Sequence, residues 1–338
     1  MVDKQKVGIL SLIAFILAAT VYYFANKPIE KSFTYGYLKQ INHDIPTPKK
    51  AIIYFTGDVM LDRSVDVAYQ AQAGDKMFEL LKDLSKDADL IVVNFEGTFP
   101  DIDIPQHIHS LLFSFRKELV EKLKESGVSV ANLANNHSYN FGGKIYEQTQ
   151  KNLLNLEFDI FGRPVGGSSD YDILKKNING IEVNFYGFNA LAQDKDEIIN
   201  LITDNAGDDA LDIVSAHWGI EYQQFASSFQ KNTAKSFFAA GVDLIIGHHP
   251  HVVQPYEIID GKAVFYSLGN FIFDQYFSES TQYGLVLKLK IQEDKIVKIN
   301  ILPISNHQST PKLENTDVLN DGSLFPGFED IKIIELSY

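Results

Sequence analysis

The stretch GVDLIIGHHPHVVQP, residues 241–255, combines the two features on which the fold prediction for this 338-residue chain rests. Its centre, VDLIIG (242–247), is a short continuous apolar run, which is typical of a parallel strand buried on both faces. Three histidines follow within four positions: His248, His249 and His251. Because ligands of open α/β sheets bind beyond the carboxyl ends of the strands, this stretch predicts an α/β fold with a polar site at that edge.

From residue 51 onward the chain alternates strand-like runs with amphipathic helical stretches. The other strand-like runs are AIIYFTG (51–57), DLIVVNF (89–95), GVSVANL (127–133) and LDIVSAH (211–217). The helical stretches are 75–88, 116–127, 143–156 and 229–241, two of which end at C-cap glycines, Gly127 and Gly241. Hairpins are predicted at 171–189 around Asn179-Gly180, at 252–267 around Asp260-Gly261 and at 283–303 around Glu293-Asp294. We therefore expect mixed sheets, with parallel strands early in the chain and antiparallel strands later.

Each of the five strand-like runs leads to side chains that can bind a metal or move a proton. In chain order these are Asp58; Asn94 and Glu96; Asn135, Asn136 and His137; His217; and His248, His249 and His251. Carboxylates, imidazoles and an Asn carbonyl suit Mn, Fe or Zn, so we expect one or two divalent ions of this kind. In an extended segment alternate side chains face the same way, so His249 and His251 would share one centre and His248 would point elsewhere.

Structural roles compete with this interpretation at single positions. A lone Asp after a strand is commonly a turn or capping residue, and a lone His beside Trp218 is commonly a hydrogen-bonded core residue. The joint pattern favours a site, because five of the nine histidines lie at the predicted edge. The other four fall in the predicted stalk or in loops: His43, His107, His109 and His307. Of these, His107 and His109 could still line the site, and Arg63 could either hold an anionic substrate or form a surface ion pair.

Composition excludes several classes of protein. The chain has no cysteine, which excludes disulfide frameworks, Cys-ligated zinc, iron–sulfur clusters and thiol nucleophiles. Its 30 Lys and Arg against 44 Asp and Glu give a formal net charge of −14, so no nucleic-acid partner is expected. The same field would repel an anionic substrate, whose attraction would have to be local, from a metal ion and from Arg63.

The N-terminal segment VGILSLIAFILAATVYYFA, residues 7–25, carries no charge. As a helix it would be about 28 Å long, close to the thickness of the hydrocarbon core of a bilayer. We expect one transmembrane anchor between a short tail (1–6) and a polar stalk (26–50), with the large domain outside the cell membrane. A cleaved signal peptide and a buried helix are the alternatives, although no Ala-x-Ala cleavage site is present.

Six motifs carry a resemblance to a known family. In chain order they are GDVMLDR, VVNFEG, NLANNHSYNFG, SAHWGIEY, GVDLIIGHHPHVVQP and YSLGNFIFD. They resemble the successive motifs of the CapA family of poly-γ-glutamate capsule synthesis accessory proteins, which includes PgsA-type proteins. The likeness runs from about residue 51 to 275 and more weakly to 305, which predicts a domain at 51–305 and a C-terminal extension at 306–338.

The CapA family resembles calcineurin-like metallophosphoesterases, and this likeness implies a fold and a set of roles. The implied fold is α/β, a four-layer α/β/β/α sandwich with mixed sheets, here preceded by one N-terminal transmembrane helix. The implied metal ligands are Asp58, Glu96, Asn136, His217, His249 and His251, and His137 resembles the histidine that protonates the leaving group. Two positions depart from the phosphoesterase pattern: Met60 stands where the first motif has a histidine, and Asn94-x-Glu96 replaces Gly-Asp.

Two functions of different classes follow from these observations. The first is a membrane-anchored protein of capsule, poly-γ-glutamate or cell-wall polymer synthesis or export that is also a metal-dependent phosphoester-type hydrolase. The second is a non-catalytic accessory subunit whose degenerate metal site binds an anionic polymer or a capsule synthase subunit, an alternative that Met60 favours. A secreted soluble hydrolase is a third alternative. The expected substrate contacts are Arg63, Asn94, Asn135 and His248.

Overall fold

The computed structural model describes residues 17–23, 48–104, 107–207, 209–329 and 333–336. These belong to two units, Met1–Pro48 and Lys49–Tyr338. In the first unit, residues 17–23 are helical, and the rest of the predicted anchor (7–25), like most of the predicted stalk (26–50), lies outside the described residues. Among the helices that are described, none combines the length and the apolar character needed to cross a membrane.

The second unit contains the strands and helices that form the layers of the fold. The strands are β1 (Lys50–Val59), β2 (Leu90–Phe95), β3 (Val130–Asn132), β4 (Asp159–Phe161), β5 (Ile173–Ile178), β6 (Ile181–Asn189), β7 (Ala210–His217), β8 (Leu244–His248), β9 (Val253–Ile259), β10 (Lys262–Leu268), β11 (Asn270–Ile272), β12 (Tyr283–Gln292), β13 (Lys295–Ser305), β14 (Lys312–Leu313) and β15 (Ile333–Ile334). The helices are α1 (Arg63–Ala68), α2 (Glu79–Leu84), α3 (Lys117–Glu125), α4 (Gly143–Asn155), α5 (Lys195–Asn205) and α6 (Ser228–Ala239).

The strands form two mixed sheets, as the sequence predicted. Within the described residues the first sheet has nine strands in the order β14-β13-β12-β1-β2-β3-β4, with β11 beside β1 and β15 beside β13. Strands β1 to β4 are parallel, whereas β12 runs antiparallel to β1. The second sheet has the order β5-β6-β7-β8-β10-β9, in which β6, β7, β8 and β10 are parallel and the two edge strands antiparallel.

Alternating side chains of the strands divide the apolar core into three layers. Between the sheets, Phe55 of β1 faces Phe185 of β6, with ring centroids 6.3 Å apart. The neighbouring Tyr54 points to the other face of the first sheet, which α1 to α4 cover. Helices α5 and α6 cover the outer face of the second sheet with residues such as Ile198 and Phe237. The arrangement is the expected four-layer α/β/β/α sandwich.

The three predicted hairpins are confirmed, and turn chemistry explains them. They join β5 to β6, β9 to β10 and β12 to β13 through two-residue turns in which both residues have positive φ: Asn179 and Gly180, Asp260 and Gly261, and Glu293 and Asp294. Two left-handed residues are what a tight type I′ turn requires. The C-cap glycines Gly127 and Gly241 also have positive φ, of 101° and 121°.

The predicted C-terminal extension, residues 306–338, contributes to the core of the second unit. Leu319, Phe325, Phe328 and Ile334 are buried in the layer between the two sheets. The ring of Phe328 lies 5.4 Å from that of Tyr256 on β9. The residues after 305 therefore help to bury the inter-sheet layer.

Candidate metal centre

The predicted strand-end residues converge where the carboxyl ends of both sheets meet. Asp58 on β1 is in register with Asn94 on β2, and His217 on β7 is in register with His248 on β8. Glu96 follows β2 directly, and all five side chains are buried. The sequence analysis placed these residues at one edge; within each sheet the parallel strands do share that edge, and the cluster forms where the edges of the two sheets meet.

Asp58 connects the two sheets at this edge. Its Oδ1 accepts a hydrogen bond from Asn94 Nδ2 at 2.8 Å and lies 3.1 Å from His248 Nδ1, while Oδ2 lies 3.2 Å from His251 Nδ1. Burial alone would raise the pKa of Asp58, but the bonds to His248 and His251 outweigh it and hold the pKa well below its usual range. Asp58 is therefore a carboxylate at neutral pH.

His248 was expected to point away from the cluster, and this expectation is wrong. Its Nδ1 contacts Asp58 at 3.1 Å. The prediction assumed an extended backbone through residue 251, whereas β8 ends at His248. His249 and His251 have φ angles of 96° and 58°, so the chain turns and the alternation of an extended strand no longer applies. His248 therefore joins the cluster from the strand, and the other two from the loop.

The side chain of Asn94, a predicted substrate contact, lies beneath the cluster. It is fully buried, and its Nδ2 lies 3.4 Å from both Glu96 Oε2 and His217 Nδ1 in addition to its bond to Asp58. Its Oδ1 accepts a hydrogen bond from Asn132 Nδ2 at 3.1 Å. Asn94 thus holds two carboxylates and an imidazole in place, and a direct contact with substrate stays a prediction.

Asn135, the other asparagine predicted to contact substrate, shapes the turn after β3. Its Nδ2 donates to the carbonyl of Phe95 at 2.9 Å, and its Oδ1 accepts from the backbone N–H groups of His137 and Ser138 at 3.1 and 2.9 Å. This fully buried amide fixes the backbone of the turn that contains Asn136 and His137. A contact of Asn135 with substrate likewise stays a prediction.

Asn136, His217 and His249 form one side of the cluster. His217 Nε2 lies 2.7 Å from Asn136 Oδ1, and the rings of His217 and His249 are 4.7 Å apart. Burial lowers the pKa of His217 well below its usual range and that of His249 to about 4. Both imidazoles are therefore neutral at neutral pH, which is the form that binds metals.

Glu96 and His251 form a second part of the cluster. Glu96 Oε1 is buried without a hydrogen-bond partner among the described residues, 3.7 Å from His251 Nε2 and 3.8 Å from His137 Nε2. Burial and the Asp58 charge raise the pKa of Glu96 well above its usual range. Burial would lower the pKa of His251, but the Glu96 and Asp58 carboxylates outweigh it and raise that pKa to about 9. The Asp58 and Glu96 carboxyl groups thus favour positive charge beside them, either a proton on His251 or a metal ion in its place.

These residues fit a divalent metal ion. Ligand atoms of Asp58, Glu96 and His251 lie within 4.8 Å of one another, as do those of Glu221, His249 and His251. The unpartnered Glu96 Oε1 and His249 Nδ1 are buried polar atoms that a cation would satisfy. Carboxylate, imidazole and amide oxygen ligands match the preference of Mn, Fe or Zn.

Glu221 is a member of this cluster that the sequence analysis did not single out. It lies four residues after His217 within the quoted motif SAHWGIEY, where only the histidine was taken as a ligand. Glu221 is exposed and lines the cleft above the cluster. A carboxylate shortly after a strand end that also carries a histidine was the signal that could have identified it.

Arg63, the predicted clamp for an anionic substrate, is already paired. Its guanidinium forms a largely buried ion pair with Asp274 and donates through Nη1 to the carbonyl of Ser110 at 2.9 Å. It also lies 4.6 Å from the ring centroid of Phe113, whose ring stacks on His137 at 4.0 Å. The pairing with Asp274 is thus largely buried rather than on the surface, and a contact of Arg63 with substrate stays a prediction.

A cleft of about 500 Å³ opens over the cluster. Asn136, His137 and His251 line it together with Glu221. Exposed apolar side chains also line it: Ile108, Leu111, Tyr222 and Phe277. His109 lines the cleft, and its ring lies 5.2 Å from that of His107, which is not a lining residue.

The fold and the cluster define a two-sheet α/β domain with a candidate metal centre at the joined carboxyl ends of its sheets. The family model for the bacterial capsule synthesis protein PGA_cap matches residues 52–275, and the chain belongs to this family. The family predicted from the six motifs is thereby confirmed.

Two proteins of similar sequence agree with this assignment, and one solved structure shares the fold. The chain is 28% identical over 295 residues to the PGA biosynthesis protein CapA of Bacillus subtilis (strain 168), covering 80% of this chain and 75% of that protein. It is 29% identical over 289 residues to the capsule biosynthesis protein CapA of Bacillus anthracis, covering 78% and 69%. A hypothetical protein from Thermus thermophilus shares the fold, with a TM-score of 0.51 and 16% identity over 78% of this chain and 98% of that one.

Proposed function

We propose that this chain acts in the synthesis or export of a capsule or cell-wall polymer, such as poly-γ-glutamate, as a metal-dependent hydrolase of phosphoester-type bonds. The observation that carries the proposal is the buried cluster of carboxylates, imidazoles and an asparagine at the base of an open cleft. The two CapA relatives support its placement in capsule biosynthesis. Fold alone would not, because one fold serves many activities.

The residues that would hold metal are Asp58, Glu96, Asn136, His217, His249 and His251. Such an ion supplies Lewis-acid polarisation of a phosphoryl oxygen. The chain's own part is to fix these ligands before substrate arrives: Asn94 holds Asp58 by a 2.8 Å hydrogen bond, and Asn135 holds the Asn136 turn. Preset ligands lower the cost of ordering the site when the ion and substrate bind.

His137 is the proposed proton donor to the leaving group. It lines the cleft, and Phe113 and the Asn140 side chain, 3.1 Å from its Nδ1, orient the ring. Burial lowers its pKa to about 4, so the free enzyme holds a neutral imidazole at neutral pH. An anionic phosphoester beside the ring would raise that pKa, because the imidazolium gains an attractive partner. Protonation is thus coupled to the binding of an anionic substrate.

A test of the proposal is the turnover of bis(p-nitrophenyl) phosphate by the full chain loaded with Mn²⁺ or Zn²⁺. We expect His137→Ala to lower kcat by about 10²- to 10⁴-fold while the bound metal, measured by elemental analysis, stays unchanged. His307→Ala, at an exposed histidine outside the cleft, is the matched control. Equal turnover in His137→Ala and wild type, or a wild-type protein that binds no metal, would overturn the enzymatic proposal.

A non-catalytic accessory role is the second candidate, and Met60 favours it. The Met60 side chain is buried in the layer beneath α1 to α4, where its sulfur accepts the backbone N–H of Asp62 at 3.1 Å, so it supplies no imidazole to the cluster. Within this role a capsule synthase subunit is the better partner for the cleft than an anionic polymer, because among the described lining residues Arg63 is the one Lys or Arg and Asp274 neutralises it. A protein that binds metal but turns over no phosphoester would support this role over the enzymatic one.

We also propose that residues 7–25 anchor the protein in the cell membrane, with the large domain outside. The uncharged length of this segment supports the proposal. The intact mass of the protein extracted from membranes is expected to correspond to a chain that retains residues 7–25. A mass that begins after residue 25, with the protein in the soluble fraction, would instead support a cleaved signal peptide and a secreted hydrolase.

A further inference from the structure

The metal-ligand groups of the cluster fall into two sets that share one histidine. Asp58, Glu96 and His251 lie in the buried part, whereas Glu221, His249 and His251 include an exposed carboxylate. In each set the ligand atoms are within 4.8 Å of one another. Because an imidazole has two ring nitrogens, His251 can serve both sets.

From this geometry we infer that Glu221 is a metal ligand, and that with His249 and His251 it completes a second, outer metal position. The inference rests on the proposed function in so far as that function requires a metal in the adjacent inner position. Met60 supplies no ligand, whereas Glu221 offers a carboxylate from the loop after β7. A carboxylate with two imidazoles is a donor set that Mn and Fe accept.

The backbone places Glu221 beside the histidine loop. Strand β7 ends at His217, and Gly219 and Tyr222 then turn the chain with φ angles of 90° and 65°. The N–H of Trp218 donates to the carbonyl of His248 at 3.1 Å, and that of Tyr222 to the carbonyl of Pro250 at 2.8 Å. The loop that carries Glu221 is thus bonded on both sides of that residue to the segment that carries His249 and His251.

His249 provides an independent indication that a ligand binds here. The side chain is 5% exposed, and its Nδ1 is buried with no hydrogen-bond partner in the part of the chain that the structure describes. Its backbone has a φ of 96°, a conformation that is unfavourable for a non-glycine residue. A strained backbone that holds a buried, unpartnered imidazole nitrogen is expected where that nitrogen binds a ligand.

The test counts metal ions with Mn²⁺ as the probe. Equilibrium dialysis of the full-length wild type is expected to show two Mn²⁺ ions per chain, and electron paramagnetic resonance is expected to show a spin-coupled pair, because each ion binds one nitrogen of the shared His251 ring. Glu221→Gln, which keeps the shape and removes the charge, should retain one ion, weaken the second by about 100-fold or more, and give an uncoupled spectrum. Glu147→Gln, at an exposed carboxylate of α4 outside the cleft, should behave as wild type.

Each result decides between defined alternatives. Two ions with unchanged affinity in Glu221→Gln would overturn the inference, and so would a wild type that binds one ion. In the second case turnover of phosphoesters would leave the proposed function intact, so the two failures are distinguishable. A wild type that binds no Mn²⁺ would overturn both. Because Glu221 is exposed, we expect metal-free Glu221→Gln to have the same melting temperature as the metal-free wild type. Loss of the second ion would then not result from unfolding.

Discussion

Asp58→Asn is expected to weaken Mn²⁺ binding by more than about 100-fold, the largest loss of affinity that we expect at the cluster. Even residues that only orient ligands typically contribute 10- to 100-fold to metal affinity, and Asp58 faces the cluster directly. The substitution removes the negative charge that His251 and His248 contact at 3.2 and 3.1 Å. It also places an N–H donor where Asp58 has a second accepting oxygen. Isothermal titration with Mn²⁺ measures the change.

The matched control for this prediction is Asp212→Asn. Asp212 is also a buried carboxylate on a central strand, where it accepts hydrogen bonds from Asn184 Nδ2 at 2.9 Å and Tyr186 Oη at 2.7 Å. It lies in β7 well before the strand end, so we expect its substitution to leave the affinity for Mn²⁺ unchanged even where it lowers stability. If Asp58→Asn bound Mn²⁺ as tightly as wild type, Asp58 would not be a ligand and the inner position would have to be reassigned.

The part of the site that could be predicted from the sequence is the part fixed by strand direction. Asp58 and Glu96 follow neighbouring parallel strands of the first sheet, and His217 and His248 lie at the ends of neighbouring parallel strands of the second, so strand direction alone brings each pair together. The hairpins were predictable for a similar reason, because pairs such as Asn179-Gly180 accept the positive φ that tight turns need. The pattern of apolar residues in a strand and the residue preferences of a tight turn are local properties, so both can be recognised directly in the sequence.

The rest depended on backbone turns and on long-range pairing. The orientation of His248 was missed because the periodicity argument cannot anticipate φ angles of 96° and 58° at His249 and His251. The ion pair of Arg63 is with Asp274, 211 positions away in the sequence, and no local pattern predicts a partner at that separation. Helix α5 was missed because its apolar residues fall in one short run, 198–202, which by itself is equally typical of a short strand.

The junction between the two sheets depends on a glycine, Gly269, within one of the six motifs. The spacing of residues in that motif does not by itself predict its role. The motif YSLGNFIFD leaves the second sheet as β10 and enters the first as β11, with Gly269 between them at a φ of 68°. The carbonyl of Gly269 accepts the N–H of Asp58 at 3.0 Å. The strand that carries Asp58 is thus held against the crossover, and the position of the cluster depends on a close approach of two backbones.

Gly57→Ala is expected to lower the free energy of unfolding by about 3 kcal/mol or more. A Cβ at residue 57 would lie 2.1 Å from the carbonyl oxygen of Gly269 and 2.9 Å from its carbonyl carbon. Both atoms are backbone, so relief requires the two strands to separate. That separation would also lengthen the Asp58–Gly269 hydrogen bond and displace Asp58 from His248 and His251.

Urea denaturation of Gly57→Ala against Gly207→Ala tests this prediction. Gly207 has no heavy atom within 4 Å of its ideal Cβ position, so its substitution should change the free energy of unfolding by less than about 0.5 kcal/mol. The same preparation of Gly57→Ala should bind Mn²⁺ more weakly than wild type even under conditions in which it is folded, because the crossover sets the position of Asp58. Wild-type stability in Gly57→Ala would show that the two strands can separate at no cost, and unchanged Mn²⁺ affinity would show that the cluster does not depend on their contact.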